Sequence, residues 1–156
     1  MENNNENAID ALNDLVKINN DRIKGYEKAI EDSKSGDENY DSLFNEMIDQ
    51  SRKYKDQLIN EINKLGGDAD TNSSTTSGKI YHVWMDVKST FQGKTDKSAL
   101  ELSERGEDAA QKAYNEALQT DNLQASTRDL IQTQKENLKN SHDTIKRERD
   151  LQEANS

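Results

Sequence analysis

The sequence predicts an all-α fold, a four-helix bundle in up-down-down-up order with a short accessory helix in the crossover between the second and third helices. Three observations predict it. The 156 residues contain no proline, which helix interiors exclude and disordered chains accumulate. Apolar residues recur at three- and four-residue steps through four long stretches. The links between those stretches are short, long and short, which sets their directions.

The first helix is expected from about 7 to 35, with Ile9, Leu12, Val16, Ile23 and Ile30 on one stripe. "SGDEN" (35–39) ends it, with Gly36 placed to cap one helix and acidic residues opening the next. The second helix runs from about 39 to 65 on Leu43, Phe44, Met47, Tyr54, Leu58, Ile62 and Leu65. "GGDADTNSSTTSG" (66–78) is almost free of apolar residues and reads as a loop.

The accessory helix is expected at about 79–92, with Ile80, Val83, Trp84, Val87 and Phe91 packing on the side of the bundle. After "GKTD", where Thr95 or Asp96 can cap, the third helix spans about 97–119 on Leu100, Ala110, Tyr114 and Leu118. The fourth spans about 122–150 on Leu123, Leu130, Leu138 and Ile145. Such helices make a bundle of about 42 Å. The crossover of about 66–95 is long enough to travel that length, so the second and third helices run parallel. One domain covers 1–156, with ends expected to fray at about 1–6 and 151–156.

Composition narrows the function. The hydrophobic fraction is 30% against 33% charged residues, so the core depends on the placement of few apolar side chains. With 31 acidic and 21 basic residues the formal charge is −10, which repels nucleic-acid phosphate and anionic membranes. No cysteine is present, so disulfides, thiolate metal sites and cysteine nucleophiles are excluded together. The opening "MENNNENAID" shows neither the basic region nor the apolar run of a signal peptide, and no stretch approaches ~20 apolar residues. The expectation is a cytoplasmic protein.

Polar residues also fall on the inner stripes. In "ELSERGEDAAQKAYNEAL" (101–118) Glu107 takes a buried position beside Gly106. Glu27 on the first helix, Tyr54 on the second, and Gln134, Asn137 and, at the flank, His142 on the fourth lie near its height. They form a candidate polar layer or ligand site. A buried carboxylate requires a partner, and Tyr54, Gln134, Asn137 and Asn19 are the expected donors. With neutral donors, Glu107→Gln should be near neutral, while Glu107→Ala should cost roughly 1–3 kcal/mol. Mid-helix Gly25 and Gly106 imply close helix contact near the layer.

Three stretches, "LNDLVKINNDRIKGYEKAIED" (12–32), "GKIYHVWMDVKSTF" (78–91) and "ERGEDAAQKAYNEAL" (104–118), resemble a bacterial ferritin-like four-helix-bundle family of unknown function. The resemblance spans nearly the whole chain. It implies a ferritin-like fold and an association with stress responses, and no activity. Ferritin-like di-iron sites take a glutamate from each of two helices and a Glu-x-x-His from each of the other two. Glu27 and Glu107 match the lone glutamates, so they are the candidate metal ligands. The second helix has no histidine, and His142 has Lys139 three residues earlier, so the ligand set is incomplete.

No nucleophile elbow, phosphate-cradling loop or EF-hand pattern is present. His82 falls off the apolar stripe of its helix and reads as a surface residue, and Asp68 and Asp70 read as a solvated loop. The expected function is a non-enzymatic bundle without a cofactor, acting through a homodimer or a protein partner. The alternative is a degenerate carboxylate protein binding iron, manganese or zinc.

Overall fold

The computed structural model describes residues 2–32, 38–69 and 96–154. These form four helices: α1 (Glu2–Asp32), α2 (Glu38–Lys64), α3 (Asp96–Leu118) and α4 (Ala125–Ala154). No strand occurs among the described residues. The accessory helix, with His82 and Trp84, lies outside them, as does Asp70.

Helix α1 begins five residues before its expected start, because an asparagine-rich segment without proline or glycine offers nothing that stops a helix. At the other end, α4 continues to Ala154. It starts at Ala125, three residues later than expected, because Asn122 turns the chain with a φ of 63°.

Glycine ends α2. Gly66 has φ 85°, and the amides of Gly66 and Gly67 donate to the carbonyls of Asn63 (3.1 Å) and Ile62 (3.0 Å), a Schellman closure. A Cβ on Gly67 would come within 2.7 Å of the Ile9 side chain, so the chain leaves α2 tight against α1.

Side chains meet in reversed chain order along three of the helix pairs. Along α2 and α4, Glu61 meets Thr127, Gln57 meets Gln134 and Gln50 meets Ser141. Along α1 and α3, Arg22 meets Glu107, and Asn19 meets Tyr114. On α3 and α4, Glu104 meets Arg149, and Gln111 meets the Lys135 carbonyl. The pairs α1–α2 and α3–α4 make the most extensive contacts, and α2 touches α4 less than α1 touches α3.

The core runs down the centre from Leu12, Leu15, Leu58, Ile62 and Ile131 to Phe44, Leu100, Leu138 and Ile145. Tyr26 packs on Phe44 with ring centroids 5.1 Å apart. Burying a side chain of this size stabilises by about 1.5–3 kcal/mol, so a sparse core holds only because these apolar positions are almost fully sealed. No described helix is long and apolar enough to cross a membrane.

Candidate functional site

Where apolar layers would continue through mid-bundle, three helices contribute polar side chains instead. Arg22 comes from α1, Met47 and Ser51 from α2, and Glu107 from α3. Arg22 and Glu107 are each 1% exposed.

The guanidinium grips the carboxylate with two hydrogen bonds, Nε to Oε2 at 2.7 Å and Nη2 to Oε1 at 2.9 Å. The Tyr26 hydroxyl donates a third to Oε2 at 3.0 Å. On its far side, Nη1 donates to Ser51 Oγ (2.7 Å) and the Met47 carbonyl (3.2 Å), and Nη2 lies 3.2 Å from Met47 Sδ. All five guanidinium N–H groups thereby have an acceptor. Tyr26 also lies under the cation, its ring centroid 5.5 Å from Cζ.

The electrostatics are reciprocal. Burial alone would lower the Arg22 pKa, but the Glu107 carboxylate together with the Tyr26 and Tyr114 hydroxyls outweighs it and holds the value above its usual level. The Tyr26 phenol is pushed well above its ordinary value by burial first and by the Glu107 charge second. A hydrogen-bonded, fully enclosed pair of this kind is charge-neutral as a unit.

A second network lies one turn away. Tyr114 donates to Gln134 Oε1 (2.7 Å) and accepts from Asn19 Nδ2 (2.9 Å), which also donates to the Leu15 carbonyl (2.8 Å). Gln134 Nε2 reaches the Tyr54 carbonyl (3.2 Å) and Gln57 Oε1 (3.0 Å). The Tyr54 hydroxyl accepts from Gln50 Nε2 (3.1 Å) and is engaged by Asn137 at the exposed edge. Burial raises the Tyr114 and Tyr54 pKa values.

The anticipated residues therefore separate into four places. Glu107 is buried in mid-bundle, but the expected donors do not hold it: Tyr54, Gln134, Asn137 and Asn19 satisfy one another or Tyr114, and Arg22 with Tyr26 takes the carboxylate. Tyr54, Gln134 and Asn137 belong to the second network. His142 sits between α3 and α4, with Nε2 2.7 Å from Asp108 and 3.6 Å from Glu104, and Nδ1 3.2 Å from Asp143.

Glu27 is the correction. Its side chain is 50% exposed and pairs with Arg52 at 3.3 Å, away from the layer. It lies five residues after Arg22, about 140° around the helix axis. The apolar stripe of Ile9, Val16, Ile23 and Ile30 suggests the wrong centre for the buried face of α1. That face is carried by Leu15, Asn19, Arg22, Tyr26 and Ala29, while Ile9, Ile23 and Ile30 are only partly buried.

Arg22 is the residue that sequence reasoning missed. Its signal was its phase: seven residues after Leu15 and seven before Ala29, it falls on the line they share. A cation on that line opposite a buried glutamate is the complement to look for.

This arrangement does not fit a ferritin-like metal. Both Glu107 oxygens are engaged by a cation that cannot lose its proton, and Glu27 is on another face. Among the described residues no group of three or more histidine, cysteine, aspartate or glutamate side chains is placed to hold an ion.

Compared with known families, residues 7–120 match the family described as a domain of unknown function (DUF2383). No curated protein matches the chain.

Proposed function

The chain belongs to the DUF2383 family, whose description names no activity, and we propose on that premise that the protein is a non-enzymatic helical bundle that works through its surface. One observation carries this reading: Arg22 consumes the carboxylate around which a ferritin-like metal centre would be built. An internal guanidinium supplies the positive charge, so the layer fixes helix pairing instead of presenting a reactive group.

The surface role follows from what the interior withholds. With a formal charge of −10, the favoured contacts are a second copy of the chain or a protein partner with complementary charge, and not nucleic acid or an anionic membrane. A ferritin-like up-down-down-up arrangement belongs to the same reading, supported by the order in which side chains meet between helices. A bacterial, cytoplasmic and stress-related setting rests on the resemblance of the three stretches quoted above.

Elemental analysis of protein purified without an affinity tag tests the proposal. Iron, manganese and zinc are each expected well below one atom per chain, with the same melting temperature in the presence and absence of chelator. Stoichiometric metal that disappears in Glu107→Ala would establish the rival reading, a carboxylate metal protein.

A further inference from the structure

The weak contact between α2 and α4 leaves an open trough along their seam. It comprises two adjoining cavities of about 330 and 510 Å³ that share Glu46, Gln50 and Asn137 as lining residues. Between Leu43 and Gln57 it follows α2 for about 21 Å, taking ~1.5 Å of rise per residue.

The lining differs in kind from the rest of this molecule. One residue in three of the chain is charged (33%), yet Glu46 is the only ionisable side chain in the smaller cavity. The larger adds Asp49 and Lys53, and Asp49 is 3.8 Å from Arg52. The α4 wall is wholly uncharged, with one hydroxyl or carboxamide per turn from Thr133, Asn137, Asn140 and Thr144. Met47 and Leu43 supply an apolar floor at one end.

Each feature removes a class of ligand. No cation faces the smaller cavity, so nothing there holds a phosphate or a carboxylate. The Tyr54 ring is 5% exposed and its hydroxyl is already engaged, so no aromatic face is offered for stacking a sugar or a nucleobase. A divalent ion would need several converging carboxylates, and the trough has only Glu46 and Asp49, the latter 3.8 Å from Arg52. Leu151 is the only large apolar side chain exposed among the described residues, so the trough does not belong to a hydrophobic docking surface.

What remains has positive charge, methylenes and N–H donors in a line. We propose that the trough binds a linear aliphatic amine, a diamine or polyamine, with one ammonium on Glu46, the chain over Met47 and Leu43, and further N–H groups on the side-chain oxygens of α4. Among the described residues no ion pair or hydrogen bond of the protein engages Glu46, so binding it breaks none. The net charge of −10 concentrates such cations near the surface. The inference goes beyond a surface-contact role and does not depend on the Arg22–Glu107 pair.

Isothermal titration calorimetry with spermidine and with putrescine, at physiological ionic strength, tests it. The expected result is saturable one-to-one binding of spermidine, weakened at least tenfold by Glu46→Gln. Asp129→Asn removes one negative charge from an exposed position on α4 outside the trough and should leave the affinity within twofold. Amide chemical-shift changes should concentrate along residues 43–57 and 133–144. Absence of saturable binding by either amine, or equal weakening by the two variants, would overturn the site. The second outcome would show only diffuse attraction to an acidic protein. Neither result bears on the metal content, which tests the surface-contact reading separately.

Discussion

Glu107 shows how one partner changes the meaning of a residue. If neutral donors held it, glutamine in its place would keep the shape and relieve a buried charge. With Arg22 clamped on both oxygens, glutamine leaves a guanidinium at 1% exposure facing a neutral amide. Breaking a buried pair by removing one partner costs about 3–5 kcal/mol. Glu107→Gln should therefore lose on that order in chemical denaturation, reversing the expectation from sequence. An unchanged denaturation midpoint would mean the carboxylate does not neutralise Arg22.

At the scale of the elements, α4 has no acidic residue in its first turn, so its own sequence places no negative charge at the positive end of the helix. Helix α2 supplies the charge. Glu61, 6% exposed, accepts from Thr127 Oγ1 at 2.7 Å and Ser126 Oγ at 3.1 Å, with Lys64 Nζ 3.5 Å away. Burial alone would raise its pKa, but the two hydroxyls and Lys64 outweigh burial and hold it below 4.5. A depressed folded-state value means that the unfolded chain binds the proton first. The contribution of Glu61 is thus complete above pH 4.5 and is lost as the pH falls through its lower folded value. Thermal melts between pH 7 and pH 3 should show Glu61→Gln less stable than wild type at neutral pH, with the gap narrowing below pH 4.5. A gap that stays constant would rule out this role for the ionised Glu61.

The whole bundle was legible in outline because helix formation and apolar spacing are local properties. Four periods, three interruptions and the absence of proline were enough to place α1 to α4 within a few residues of where they lie. The shift at the start of α4 came from the left-handed turn at Asn122, whose neighbours signal a link without fixing its last residue. The site was half legible. Glu107 announced itself by its phase on a mostly apolar line. Arg22 did not, because charged residues are so common in this chain that one on the buried side of α1 looks like one on the exposed side. Only the packing of three helices around it removes the ambiguity. Glu27 failed for the related reason that isoleucines at the border of the buried arc outweigh the more polar residues at its centre.

The claim that mid-bundle polarity is a closed ion pair, and not a vacant ligand set, is tested most directly by a double-mutant cycle on Arg22 and Glu107 in metal-free buffer. Arg22→Met and Glu107→Leu should each be strongly destabilising, while the double variant recovers most of the loss, because replacing both charges by apolar groups of similar volume is close to neutral. With each single variant costing about 3–5 kcal/mol and the double variant close to neutral, the coupling expected from chemical denaturation is about 5 kcal/mol or more. Additive losses, with a coupling below about 0.5 kcal/mol, would contradict the pairing on which the account rests.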